Sequence, residues 1–162
     1  MATTSIPRAG DRLWVFLATG FGAGYFPFAP ATFASLLVTI AYGIIAPAPG
    51  RITVVTVLCV AAVVFLAGIP LSRRTETVLG PDARPIVIDE VAGQLITFAG
   101  LPATWPVLAA GFILFRAADV LKVPPAGEAE RLRNGWGVMM DDVVAGVYAH
   151  FALRALIAIF GR

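Results

Sequence analysis

Long apolar runs dominate this 162-residue sequence and limit the folds that it can adopt. They cover residues 32–46, 52–70, 86–122 and 143–160. Overall, 59% of the residues are hydrophobic and 14% are charged, whereas soluble domains carry roughly a quarter charged residues. This apolar excess is too large for one globular core and indicates membrane helices, each of which needs about 20 apolar residues. The sequence therefore predicts an all-α, integral membrane helical bundle.

The longest apolar run is interrupted by "GLPATWP", which places Gly100, Pro102 and Pro106 near its middle. Proline inside a helix removes a hydrogen bond and clashes with the preceding turn. The run is therefore predicted to form two helices, 86–100 and 105–122, about 22 and 27 Å long. With the other runs this gives four to five membrane helices in a single domain, residues 1–162. Segment 11–26 is short and glycine-rich, and is predicted to be an interfacial helix.

The connections between these helices alternate in character, with short turns at 47–51 and 100–105 and polar loops at 71–85 and 123–137. Most basic residues fall on the loop side: Arg8, Arg12, Arg73, Arg74, Arg84, Arg116, Lys122, Arg131 and Arg133. The turn side has only Arg51, Arg154 and Arg162. Basic residues favour the cytoplasmic side, so the loop side is predicted to face the cytoplasm. A net charge of +2 without a basic run gives no reason to expect a nucleic-acid partner.

The unusual polar residues all lie at predicted helix ends on this cytoplasmic side. They are Thr32 and Ser35 at the first span, Asp89 and Glu90 opening the third, Arg116, Asp119 and Lys122 closing the fourth, and Asp141 and Asp142 opening the fifth. The spacing of the fourth set places its members along one side of a helix. Ionisable groups near a membrane core are costly and mark functional sites.

Each group also has a structural explanation. An acid at a helix start caps the helix and suits its dipole, and cations near a membrane surface serve as anchors. One cap needs only one acid, however, and Asp119 lies at a helix C-terminus, where the dipole disfavours it. Capping and anchoring therefore do not account for the whole set.

The chemistry of the set favours phosphate and Mg²⁺. Carboxylates with open coordination positions suit Mg²⁺, while a helix N-terminus flanked by hydroxyls, together with Arg and Lys, suits a phosphate. Together they indicate phosphoryl transfer or hydrolysis. Cys59 lies in an apolar run and His150 is more than two turns into the last span, so water is the expected nucleophile. A site at headgroup level favours a phosphorylated lipid as substrate.

Four segments carry a family resemblance: "GYFPFAPATFASL", "IVIDEVAGQLI", "FRAADVLKVPP" and "GWGVMMDDVVAG". In this order they resemble the motif series of the phosphatidylglycerophosphatase A family, from about residue 20 to 150. The resemblance implies an all-helical, Mg²⁺-dependent lipid phosphatase of the bacterial cytoplasmic (inner) membrane, multi-pass, with its active site at the cytoplasmic face. Its substrate would be phosphatidylglycerophosphate, and its products phosphatidylglycerol and phosphate.

The resemblance also implies roles for individual residues. It assigns Mg²⁺ to Asp89, Glu90, Asp119 and Asp142, and catalysis to these four with Asp141. It assigns binding of the substrate phosphate to Thr32, Ser35, Arg116 and Lys122. Neighbouring aspartates on a helix point about 100° apart, so one of Asp141 and Asp142 is expected to orient water; which acid is the base stays open. The chain departs from the family pattern at Ala31 and Ala34, which replace frequent glycines, and at Val123, which follows Lys122 in place of proline.

Two other functions, transport and lipid phosphotransfer, fit the sequence less well. An ion- or proton-coupled transporter would need polar sites at the membrane midplane and often shows internal repeats. Here the middles of the spans carry almost no ionisable residue besides His150 and Arg154, and no repeat is seen. A lipid phosphotransferase would carry a glycine-alanine-arginine motif with spaced aspartates, which the sequence lacks. Neither the acyl-chain preference nor the oligomeric state follows from the sequence.

Overall fold

The computed structural model describes residues 9–46, 53–81, 83–129, 132 and 135–160. All the regular secondary structure in these residues is helical, as predicted. The helices are α1 (Ala9–Ala18), α2 (Pro30–Ile45), α3 (Val54–Leu79), α4 (Ile88–Phe98), α5 (Trp105–Leu121), α6 (Ala126–Ala129) and α7 (Trp136–Phe160), with a 3-10 turn at Ala23–Tyr25. The predicted turn at 47–51 lies outside the described residues, as do Arg8, Arg51, Arg131, Arg133 and Arg162.

Three of the predicted helices are confirmed to within about two residues. Helix α2 starts at Pro30, where the fixed φ of proline suits the first helical turn. Helices α4 and α5 are separated at "AGLPAT", where Gly100 adopts a φ of 70°. Helix α4 has 11 residues and is about 16 Å long, so it does not cross a hydrocarbon core of about 30 Å by itself. Among the described helices, α3 and α7 are long and apolar enough to do so.

Helix α3 is longer than predicted. The sequence placed a polar loop from residue 71, but the helix continues through Pro70 to Leu79. The guanidinium of Arg74 lies 4.3 Å from the centre of the Trp14 ring, which attaches this last part of α3 to α1. Leu71 is buried on the same part of the helix, in a cluster with Ala18 and Val138. These tertiary contacts stabilise helix where the polarity of the segment predicted a loop.

Helix α7 begins earlier than predicted, at Trp136, so Asp141 and Asp142 lie in its second turn and do not open it. A capping role for this acid pair is therefore excluded. Gly135, with a φ of 78°, precedes the helix and passes so close to the backbone of α3 at Ile69 that a side chain would not fit. Gly68 of α3 similarly leaves room for the side chain of Met139. These close approaches fix the first turns of α7 against α3.

Helix α4 lies at the centre of the bundle and contacts α2, α3, α5 and α7. At one end its Phe98 is buried in a cluster with Tyr42, Leu108 and Leu153. At the other end its first turn meets the start of α2, the end of α5 and the second turn of α7 through side-chain contacts. The predicted site residues come from these four segments.

Candidate active site

Three carboxylates from three different helices meet at this end of the bundle. Glu90 of α4, Asp119 of α5 and Asp142 of α7 each present an oxygen, and these oxygens all lie within 4.8 Å of one another. Glu90 and Asp142 are each only 3% exposed. Like charges this close together repel, and burial makes each charge more costly. The group, called the carboxylate triad below, therefore needs nearby positive charge.

Arg116 supplies part of that charge. Its guanidinium contacts two members of the triad, with Nη1 2.5 Å from an oxygen of Glu90 and Nη2 3.2 Å from an oxygen of Asp119. One cation leaves three carboxylates undercompensated. The Oδ2 atom of Asp142 is buried and has no hydrogen-bond partner in the described part of the chain. Such an oxygen-only, electron-rich donor set fits a hard divalent cation.

The hydroxyl of Ser35 fixes the other side of Glu90. It donates a hydrogen bond to Oε2 of Glu90, and both side chains are buried. Helix α4 does not cross the membrane core by itself, and its first turn presents Glu90 between α2 and α5. Both oxygens of Glu90 are thus oriented by protein groups.

The two acid pairs of the sequence share one arrangement. The first acid of each pair turns back to its own helix: Asp89 accepts a hydrogen bond of 3.0 Å from the backbone N–H of Glu90, and Asp141 accepts one of 3.0 Å from that of Asp142. The second acid of each pair joins the carboxylate triad. Asp141 also accepts a 3.1 Å hydrogen bond from Nζ of Lys122. The rotation of each helix thus gives the two acids of a pair different contacts: the first binds a backbone N–H group and the second approaches the other carboxylates of the triad.

Comparison with known proteins identifies the family. The profile described as phosphatidylglycerophosphatase A matches residues 16–157. The chain belongs to the phosphatidylglycerophosphatase A family. A protein of that name from Haemophilus influenzae is 39% identical over 143 residues, covering 86% of each chain. Another of that name, from Escherichia coli, is 35% identical over 137 residues, covering 83% of this chain and 77% of its own.

A third relative carries a different name. The Bacteroides thetaiotaomicron protein named "Putative phosphatidylinositol-3-phosphatase" is 36% identical over 140 residues, covering 83% of this chain and 87% of its own. The three names agree on a phosphorylated lipid and differ in its headgroup. No solved structure matches the chain.

The structure brings together most of the residues predicted from the family resemblance. Direct contacts join Ser35, Glu90, Arg116 and Asp119, and Asp142 completes the triad. The remaining predicted residues lie around this group: Thr32, Asp89, Lys122 and Asp141. Asp89, one of the four Mg²⁺ ligands that the resemblance implies, is not among the three carboxylates whose oxygens meet within 4.8 Å. Arg116 and Lys122, predicted to hold phosphate, each contact a carboxylate in this structure, and Thr32 is half-buried one turn before Ser35.

Two glycines that the sequence reasoning missed set the helix crossing beside this site. Gly93 of α4 and Gly146 of α7 lie where the two helices cross, and a Cβ on Gly146 would collide with the backbone of Gly93. A Cβ on Gly93 would lie 2.6 Å from the backbone oxygen of Asp142. The signal was present in the sequence, because each acid pair is followed about one turn later by a glycine, in "DEVAG" and "DDVVAG".

Proposed function

We propose that this protein hydrolyses the terminal phosphate of phosphatidylglycerophosphate, giving phosphatidylglycerol and inorganic phosphate for phospholipid biosynthesis. The Haemophilus influenzae and Escherichia coli relatives carry the name of this activity. The observation that carries the proposal is the carboxylate triad, which is bridged by Arg116 and joined by Ser35. With a divalent cation bound, this arrangement is suited to positioning a phosphate monoester and neutralising its charge.

The proposal includes Mg²⁺, held by Glu90, Asp119 and Asp142. The triad supports this because its oxygens are close enough to share one ion, and because Oδ2 of Asp142 is buried without a partner. When bound there, Mg²⁺ would neutralise charge on the phosphate and polarise the bond to phosphorus. Asp89, predicted as a fourth ligand, would act by fixing the first turn of α4 through its bond to the Glu90 N–H.

The remaining groups of the site position the reactants. The guanidinium of Arg116 contacts Glu90 and Asp119 and would also bind the phosphate oxygens. Lys122 fixes Asp141 through an ion pair. Asp141 would orient the attacking water, which forms a bond to phosphorus as the bond from phosphorus to the glycerol oxygen breaks. One proton of the water ends on the glycerol oxygen, which leaves as a hydroxyl, and the other remains on the inorganic phosphate.

A membrane location is part of the same proposal. The most apolar 18-residue windows of α3 and α7 are only 22% buried within the protein. The apolar core helix of a soluble protein would be mostly buried, so these surfaces favour lipid as their surroundings. The bias of basic residues toward the site end, including Arg12, Arg73 and Arg84, supports a multi-pass protein of the bacterial inner membrane whose site faces the cytoplasm.

The test is phosphate release by the purified protein in detergent, from phosphatidylglycerophosphate and from phosphatidylinositol 3-phosphate, with Mg²⁺ or with excess EDTA. We expect Mg²⁺-dependent release from phosphatidylglycerophosphate, lost in Asp119→Asn and Asp142→Asn. Glu128→Gln is the matched control, because it removes an acid that is exposed on α6. Faster release from the inositol lipid would change the assigned substrate. Full activity of Asp142→Asn or in EDTA would refute the metal-site assignment.

A further inference from the structure

Helices α2, α3 and α4 line an apolar cleft of about 290 Å³, which runs from near the site toward the C-terminal end of α2. Most of its lining consists of aliphatic side chains, with the Tyr42 ring and Thr56 as the exceptions. Helix α2 contributes Val38 and Ala41, and helix α4 contributes Val91 and Leu95. The hydroxyl of Tyr42 is turned to the backbone oxygen of Phe98, 3.4 Å away. The cleft therefore offers little for a polar ligand to bind.

The end of this cleft nearest the N-terminus of α2 lies next to the site. Val38 follows Ser35 by three residues on α2, and Val91 follows Glu90 directly on α4. The hydrogen bond between Ser35 and Glu90 thus lies about one helical turn, roughly 5 Å, from the first residues of the cleft. From there the cleft follows α2 as far as Ile45, about 15 Å along the helix from Ser35.

We propose that this cleft binds an acyl chain of the phosphorylated lipid whose phosphate lies at the carboxylate triad. The inference rests on the proposed function and adds where the lipid is held. The main support for this inference is that the cleft is continuous with the site, because α2 and α4 provide both the Ser35–Glu90 contact and two walls of the cleft. In phosphatidylglycerophosphate a glycerol and a phosphodiester separate the terminal phosphate from the diacylglycerol, so these units would span the part of the cleft nearest Ser35. An acyl chain would then occupy the farther part, which reaches about 15 Å along α2 from Ser35.

A second apolar groove, on the opposite side of α3, is the rival location. It lies between α3, α4 and α7 and is lined by residues that include Leu58, Ala62, Phe65 and Met140. None of the residues that line it belongs to α2, the helix that contributes Ser35. The α2–α3–α4 cleft therefore adjoins the Ser35 side of the site, whereas Met140 and Val143 place the rival groove beside Asp141 and Asp142.

The expected effect of the cleft is on positioning. A lipid tail gains little by moving from the bilayer into another apolar environment. A chain packed in the cleft instead fixes the lipid relative to the carboxylates, and misplacing a reacting group by about 1 Å costs roughly 100-fold in rate. Filling the cleft should therefore lower kcat/KM for a diacyl substrate and leave a substrate without acyl chains unaffected.

Two exposed alanines provide a matched pair of variants. Ala41→Phe fills the α2–α3–α4 cleft, and Ala62→Phe fills the rival groove. Each is assayed with long-chain phosphatidylglycerophosphate and with its deacylated, water-soluble headgroup. We expect Ala41→Phe to lower kcat/KM for the diacyl lipid about tenfold or more and to leave the deacylated substrate within about twofold. Ala62→Phe should leave both unchanged.

The other outcomes overturn the inference. A selective loss in Ala62→Phe would place the chain in the rival groove, and an equal loss with both substrates in both Ala41→Phe and Val60→Phe would show that the cleft does not act through the acyl chain. If Ala41→Phe does not fold, Val60→Phe fills the same cleft from α3. A wild type that releases phosphate from neither substrate would refute the proposed function, and with it the cleft assignment. An active wild type with chain-independent variants would refute the cleft alone.

Discussion

Gly93→Ala tests whether the crossing of α4 and α7 controls the geometry of the site. A Cβ at this position would lie 2.6 Å from the backbone oxygen of Asp142 and 2.5 Å from a ring carbon of Phe115. Side-chain carbons essentially never approach closer than 3.0 Å, and ordinary contact begins at 3.4 Å. Raising the first separation from 2.6 Å to between 3.0 and 3.4 Å shifts the backbone of Asp142 by about 0.4–0.8 Å relative to α4.

This shift is large for catalysis and small for folding. Catalytic groups must be held to within about 0.5 Å, and a displacement of about 1 Å costs roughly 100-fold. We therefore expect kcat to fall about 10- to 100-fold. Overpacking costs about 1–3 kcal/mol, but alanine gains up to about 1 kcal/mol over glycine in a helix. The net loss in the free energy of unfolding is then about 0–2 kcal/mol, and the protein should remain folded.

The measurement is kcat for phosphate release beside the thermal unfolding midpoint, both in the same detergent. Gly10→Ala is the matched control, because no atom lies within 4 Å of the Cβ that it adds to α1. Gly146→Ala should act like Gly93→Ala, and the double variant should lose less than the two single losses combined, since one separation of the helices relieves both clashes. Wild-type kcat in a folded Gly93→Ala protein would refute the reasoning.

Three further predictions concern the groups around the triad. Arg116→Lys should lower kcat about 100-fold, because one ammonium cannot replace a guanidinium that contacts both Glu90 and Asp119; steady-state kinetics within threefold of wild type would contradict this. Ser35→Ala should lower kcat about 10-fold or more by removing a hydrogen bond to a charged group, and an unchanged kcat would show that Glu90 keeps its position without it. Mg²⁺ at about 100 times its dissociation constant should stabilise the protein by about 2.7 kcal/mol, raising Tm by roughly 5–10 °C. Asp142→Asn should abolish that rise, and a rise of equal size in the variant would place the ion elsewhere.

The sequence predicted the helices whose ends are marked by local chemistry. Pro30 starts α2, and the glycine and prolines around residue 100 separate α4 from α5 close to the expected positions. Two boundaries are wrong because tertiary contacts decide the structure there. Helix α3 continues past Pro70 because Arg74 and Leu71 pack against other parts of the chain. Helix α7 starts at Trp136 because Gly135 allows a close approach to α3.

For the site, the sequence identified the acids but could not divide the roles within each pair. That division depends on how each helix is rotated, which spacing alone leaves open. In the structure the rotation turns Asp89 and Asp141 to backbone N–H groups and sends Glu90 and Asp142 into the triad. The same rotation leaves Asp89, one of the four metal ligands that the resemblance implies, outside the triad.

The glycines explain how buried acids can be brought this close in a bundle of this kind. In the proposed membrane location, lipid provides no hydrophobic force between helices, so their association depends on close packing and interhelical hydrogen bonds. At this crossing Gly93 and Gly146 permit backbone contact, and the hydroxyl of Thr97 lies within hydrogen-bond distance of both of their carbonyl oxygens, at 3.0 and 3.4 Å. The same approach brings Asp142 against Glu90, where their charges push the helices apart. Close packing therefore holds α4 and α7 together at the same place where the repulsion between carboxylates separates them. A cation bound by the triad would reduce that repulsion and so stabilise the packing. The Mg²⁺-dependent rise in Tm should consequently be smaller in Gly93→Ala than in the wild type, whereas an equal rise would show that the triad binds its ion independently of the helix crossing.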